Sequence, residues 1–167
     1  MEIYGREQEL ARVEALLDAC STGSSRLLIE GEPGIGKTTV WRAGVESARA
    51  RDYRVLSSRP AEADSSLAYA GLADLVATVD TAAFDALPGP QRHAIDVALL
   101  RRAADGRPPE PRAVFAGFVS LLRGLAAQGP MLVAVDDVQW LDGPSAFTLW
   151  FAACQLRKER VGFVVGS

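Results

Sequence analysis

Apolar positions recur at helical spacing from Arg6 to Cys20, where Leu10, Val13, Leu16, Leu17 and Cys20 share one face and Glu7, Glu9, Arg12, Glu14 and Asp18 lie largely elsewhere. That pattern predicts an amphipathic helix, closed by the polar run Ser21 to Ser25. The short apolar run Leu27-Leu28-Ile29 predicts a strand over residues 26–30. After a glycine-rich stretch, Val40, Trp41, Val45 and Ala48 mark a second helix from near Gly36 to about Arg51, and Tyr53 to Ser58 reads as a second strand.

The middle of the chain reads as interrupted helix. Leu72, Leu75, Val76 and Val79 place a face on a helix over 67–78, and Ile95, Val97, Leu99 and Leu100 place one on a helix over 91–104; Leu87-Pro88-Gly89-Pro90 separates them. Asp105 to Pro111 holds three prolines in seven residues and reads as an exposed loop. The next helix spans 112–128, with Val114, Phe115, Phe118, Leu121, Leu122 and Leu125 inward. Met131 to Val135 is uninterrupted in its apolar character, as expected of a parallel strand covered on both faces. Residues 144–156 read as helix and Val161 to Gly166 as a last apolar strand. The order β-α-β-(helices)-α-β-α-β calls for an α/β fold with a parallel sheet and helices on both faces.

Two candidate chemical sites stand at strand ends. Gly31-Glu32-Pro33-Gly34-Ile35-Gly36-Lys37-Thr38 fits G-x-x-x-x-G-K-[ST], directly after the first strand and before a helix. A strand that stops in such a turn and restarts as a helix leaves backbone N–H groups pointing into one concavity, which suits phosphate oxygens. Lys37 would reach the β- and γ-phosphates, and Thr38 would offer its hydroxyl to Mg²⁺. The strand Met131 to Val135 ends in Asp136 and Asp137. Ligands of an open parallel sheet sit beyond the carboxyl ends of its strands, so these acids can face the same phosphates. Asp136 is the candidate Mg²⁺ ligand, and Asp137 is placed to orient or deprotonate the attacking water. Together the motifs predict a P-loop NTPase.

Composition narrows the alternatives. Hydrophobic residues make up 49% of the chain and charged residues 23%, ordinary values for a globular domain. The net charge of −3 argues against nucleic-acid binding by this segment, and the short basic groups around Arg51, Arg101 and Arg157 read as solvated helix faces or ends. Only Lys37 and Lys158 are lysines, against sixteen arginines, which makes a lysine in the phosphate loop stand out. No apolar stretch approaches about 18 residues, and the first residues lack an export pattern, so a cytoplasmic location without membrane contact is expected. Cys20 and Cys154 read as reduced, buried thiols of two helices, with neither disulfide nor zinc. The lone His93 reads as structural, Trp140 as a packing residue, and Asp142, before Gly143-Pro144, as a helix N-cap. A GTPase is disfavoured, since the chain contains no asparagine for an N-K-x-D loop.

Three segments in register carry a family resemblance: Ile3-Tyr4-Gly5-Arg6-Glu7, the loop Gly31 to Thr39, and Val133-Ala134-Val135-Asp136-Asp137-Val138-Gln139-Trp140-Leu141-Asp142. They resemble the ATPase domain of the large LuxR-type transcriptional regulators of actinobacteria, signal-transduction ATPases with numerous domains within the AAA+ class. The likeness runs on through Leu67 to Leu75 and Leu87 to Arg92, nearly the whole chain. It implies that Ile3, Tyr4, Gly5 and Arg6 lie against adenine and that Gly31, Pro33, Gly34, Ile35, Gly36, Lys37, Thr38 and Thr39 hold the phosphates. Catalysis would fall to Lys37 and Asp137, and metal binding to Thr38 and Asp136.

The resemblance also implies an additional strand, Val161 to Val165, between the phosphate-loop strand and the acidic strand. Residues 1–167 would then be the N-terminal ATPase core of a larger protein, truncated before the fifth strand, the lid, the repeat region and the DNA-binding helix-turn-helix. The expected function is a Mg-ATP-binding regulatory switch with slow hydrolysis at most, bound to ATP or ADP; the alternative is a free-standing ATPase or phosphotransferase. An unpaired outer edge on the first strand would favour self-association.

Overall fold

The computed structural model describes residues 6–32, 34–104, 106 and 108–167. Its centre is a parallel sheet of four strands: β1 (Ser25–Ile29), β2 (Arg54–Ser58), β3 (Met131–Val135) and β4 (Val161–Gly166), in the spatial order β1-β4-β3-β2. The last strand therefore lies between the first and the third, as expected. Leu27 pairs with Val164, Val133 with Phe163, and Leu56 with Val133.

Every residue of β3 is buried, and alternation sends its side chains into two separate cores. Leu132 and Ala134 join Leu16, Leu17, Cys20, Trp41, Val45 and Val164 under α1 (Glu7–Cys20) and α2 (Lys37–Ala50). Met131, Val133 and Val135 face the larger core, which is built from α3 (Ala70–Leu75), α4 (Thr81–Asp85), α5 (Gly89–Ala98), α6 (Pro111–Gln128) and α7 (Gly143–Gln155). Short 3₁₀ turns stand at Glu62–Asp64 and Val138–Trp140.

The interrupted helices of the middle differ most from expectation. α3 begins only at Ala70, because Tyr69 takes a left-handed conformation with φ 64°, and Leu67 is exposed outside it. The turn-length α4 is too short to show as apolar spacing; Asp80 caps it by accepting from Ala82 N–H. α5 ends near Ala98 because Leu100 turns left-handed, letting the N–H groups of Arg101 and Arg102 close on the Asp96 carbonyl oxygen. Leu100 is consequently 90% exposed rather than part of a helix face. Phe115 is half-buried, its ring 4.9 Å from that of Phe147 and 5.7 Å from that of Phe151, instead of facing the core. Asp105 and Arg107 of the proline-rich loop lie outside the described residues.

Both cysteines are free thiols. Cys20 is buried, as its helical position predicts, whereas Cys154 is only half-buried. Burial pushes the Cys20 thiol up to about 11.

Candidate nucleotide site

β1 runs out at Ile29 and the chain turns through residues 30–36 before α2 begins. Gly34 and Gly36 have φ values of 82° and 95°, in the left-handed region where side chains with a Cβ are strained. Gly36 is the N-cap of α2, and Thr39 and Val40 donate their N–H groups to its carbonyl oxygen. This geometry leaves the first N–H groups of α2 without helical acceptors, facing outward from the helix start.

Lys37 closes the loop from inside: its Nζ donates to the carbonyl oxygens of Gly31 and, over 3.2 Å, of Glu32. Arg6, ahead of α1, donates to the Ile35 carbonyl and pairs with Glu9 at 2.8 Å, holding that carboxyl below the usual carboxylate range. Arg6 is thus brought to the loop from the opposite side in sequence. Ile3, Tyr4, Gly5 and Pro33 lie outside the described residues.

Gly34, Gly36, Lys37 and Thr38 line one cavity of about 340 Å³ together with Asp137 and Gln139. The phosphate loop and the end of the acidic strand, separated by almost a hundred residues in sequence, therefore share a wall. Asp137 is itself left-handed, with φ 54°, and Trp140 N–H donates to its carbonyl oxygen as the chain turns off the strand. Non-glycine residues hold such a conformation only where the surroundings impose it, as they often do at functional sites. Gln139 Nε2 donates to Asp137 Oδ1 over 3.1 Å and fixes that carboxylate's orientation.

Asp136 does not line the cavity. Its side chain is 1% exposed, and Oδ2 is a buried oxygen with no hydrogen-bond donor, although Arg59 Nε lies 3.4 Å away. Its Oδ1 lies against Gly166 of β4, where a Cβ would come within 2.9 Å. An orphaned, buried carboxylate oxygen is a hard ligand without a partner, which fits a Mg²⁺ ion. Among the described residues no group of three or more His, Cys, Asp or Glu could hold a metal, so a cation here depends on oxygens supplied by a ligand.

The same arrangement of loop and acidic strand occurs in known proteins. The family model of the AAA ATPase domain matches residues 2–164. The chain belongs to that family. Nucleotide binding follows at the level of an AAA ATPase domain, and the P-loop α/β fold is shared with a solved structure, the ORC2 protein of Aeropyrum pernix in its ADPNP and ADP complexes. The TM-score is 0.56 at 18% identity, over 99% of this chain and 41% of the ORC2 chain; this domain thus spans about two-fifths of that protein. No curated protein matches the chain.

Gln139 and Arg59 join the acidic pair as neighbours that the motifs do not name. Arg59 carries a usable sequence signal, since it directly succeeds a parallel strand and so stands at the ligand-binding end of the sheet. Thr39 and Ile35 do not line the cavity, although both belong to the loop segment. Asp142 caps α7, as its place before Gly143-Pro144 predicts, and accepts from Ser145 N–H over 2.9 Å.

A larger cavity of about 690 Å³ lies between α5 and α6, lined by Pro90, His93, Val97, Pro109 and Glu110 among others. It has neither a glycine-rich cradle nor a lysine, so its size does not make it the phosphate site.

Proposed function

We propose that this AAA ATPase domain is a Mg-ATP-binding switch, cytoplasmic and part of a LuxR-type transcriptional regulator, with slow hydrolysis. The observation that carries the nucleotide reading is the common cavity of Gly36, Lys37, Thr38 and Asp137. In this reading Lys37 exchanges the carbonyls of Gly31 and Glu32 for phosphate oxygens, while the loop N–H groups hold the phosphates in place. Thr38 and Asp136 hold Mg²⁺, which neutralises the phosphate oxygens as charge develops on them. Asp137, steadied by Gln139, orients the attacking water and accepts its proton.

Slow turnover is supported by the short side chain of Asp137, which sets its carboxylate one methylene nearer the backbone than a glutamate would. The regulator context rests on the registered segments Ile3 to Glu7, Gly31 to Thr39 and Val133 to Asp142. Self-association is supported by β1, whose outer edge is unpaired among the described residues, and by the exposed Leu28 and Trp150 beside it. No described helix is long and apolar enough to cross a membrane.

The test is ATP and ADP titration of the whole protein, with DNA binding measured in each nucleotide state. Tight Mg-dependent ATP binding with turnover below about one per minute, and DNA affinity that differs between the two nucleotides, is the expected outcome. Rapid multiple turnover with DNA binding indifferent to nucleotide would instead favour a free-standing ATPase or phosphotransferase.

A further inference from the structure

The register that pairs Ser58 with Val135 carries Arg59 alongside Asp136, and Asp136 N–H donates to the Ser58 carbonyl oxygen over 3.1 Å. The two flanks of the Asp136 carboxylate are unlike. On the β4 side stands Gly166, without a side chain; on the β2 side stands a guanidinium, 3.4 Å from Oδ2 and too poorly aligned for a hydrogen bond. Among the described residues Arg59 is the cation within ion-pair distance of Asp136.

Burial divides the pair as well. The Asp136 side chain is 1% exposed and the Arg59 side chain 49%. A carboxylate so deeply buried needs a compensating charge to remain ionised, and arginine, which does not deprotonate in proteins, supplies one permanently. Yet a half-exposed guanidinium held by one loose contact can swing into water at little cost. The contact falls on the same oxygen that lacks a donor and suits a metal.

We propose that Arg59 is the resting counter-ion of Asp136, a positioning residue that keeps this buried carboxylate charged without metal and yields it to a divalent cation, thereby setting how strongly nucleotide affinity depends on magnesium. Two cations on one buried oxygen repel each other, so the attraction between Arg59 and Asp136 is given up whenever metal is bound. Part of the free energy of metal binding is offset by that loss. The coupling between Mg²⁺ and ATP is correspondingly weaker than the ligands alone would give. This inference rests on the Mg-ATP reading of the site.

The experiment is calorimetric titration of the whole protein with ATP, in Mg²⁺ and in EDTA, for the parent, Arg59→Gln and Arg59→Lys, with circular dichroism to verify folding. The ratio of the EDTA to the Mg²⁺ dissociation constant should rise about threefold or more in Arg59→Gln and stay within about twofold of the parent in Arg59→Lys. If Arg59→Gln does not fold, Arg59→Met, which keeps the apolar stem, carries the same expectation. An unchanged or lowered ratio in the neutral variant overturns the role of Arg59, and so does a lysine variant that behaves like the neutral one. A parent that binds no ATP, or binds it equally with and without magnesium, overturns the Mg-ATP reading itself, and this inference with it.

Discussion

The backbone N–H of Tyr69 donates to Oδ1 of Asp142 over 2.8 Å, tying the start of α3 to the start of α7. Oδ1 also accepts from Ser145 N–H, and Oδ2 accepts from Gly71 N–H over 3.0 Å. Ser145 extends the junction, its Oγ accepting from Leu72 N–H over 2.9 Å. One buried carboxylate thus satisfies unpaired donors at the beginnings of two helices, and with them it holds Tyr69 in its left-handed conformation.

Asp142→Ala should therefore cost about 3 kcal/mol, more than loss of a surface cap, because three buried N–H groups lose a charged acceptor together. Asp142→Asn should cost less, since its amide oxygen can still accept. Urea unfolding monitored by circular dichroism measures both. A loss under about 1 kcal/mol for the alanine variant would mean that water replaces the carboxylate and that the junction is not tightly held.

Lys37→Ala should lower Mg-ATP affinity at least about tenfold, or about 1.4 kcal/mol, while leaving the fold intact. The Lys37 ammonium bonds to loop carbonyls, so its removal disturbs no core contact. Calorimetry and circular dichroism of the whole protein test the two halves separately. Unchanged affinity would take Lys37 out of the site.

The two acids should separate by function. Asp137→Asn should keep Mg-ATP binding but reduce single-turnover hydrolysis by about a hundredfold, because an amide can position water but cannot take its proton. Asp136→Asn should instead weaken the magnesium dependence of binding. Hydrolysis at the parental rate in the Asp137 variant would exclude it as the base.

Cys20 should remain unreactive toward a disulfide reagent at neutral pH, while the half-buried Cys154 reacts first. The folded pKa of Cys20, about 11, lies above the ordinary thiol value of 9.0, so the folded thiol keeps its proton where the unfolded one has lost it. The stability this contributes is fully present below pH 9.0 and is lost as pH rises toward about 11. Cys20→Ala should flatten the decline in stability across that window, as read by urea unfolding at a series of pH values. An identical slope in both proteins would show that the thiol ionises equally in the folded and unfolded states.

The chemistry-bearing strands are legible in the sequence because each is marked twice, by a continuous apolar run and by the residue just beyond its end: Gly31 after β1, Asp136 after β3. The middle of the chain is less legible because its boundaries are set by backbone conformations that apolar spacing does not encode. Tyr69 and Leu100 are left-handed for tertiary and capping reasons, the first held by Asp142 and the second by closure of α5 on the Asp96 carbonyl. The site shows the same division. Lys37 and Thr38 come from a local motif, whereas Arg59 joins Asp136 only through the pairing of β2 with β3, which depends on residues far apart in sequence.

Strand order also bears on when the site can form. Among the described residues β1 pairs with β4 alone, so the phosphate loop hangs from a segment whose lateral support is the latest of the four strands to be made. β2 and β3 can pair and bury Leu56 and Val133 before residues 161–166 exist, but Leu27 waits for Val164. A chain emerging from the ribosome would hold the acidic strand in place well before the glycine loop is anchored. Competence to grip a nucleotide then arrives in one step, once β4 has been synthesised, and a half-made chain has no firm phosphate cradle with which to sequester ATP.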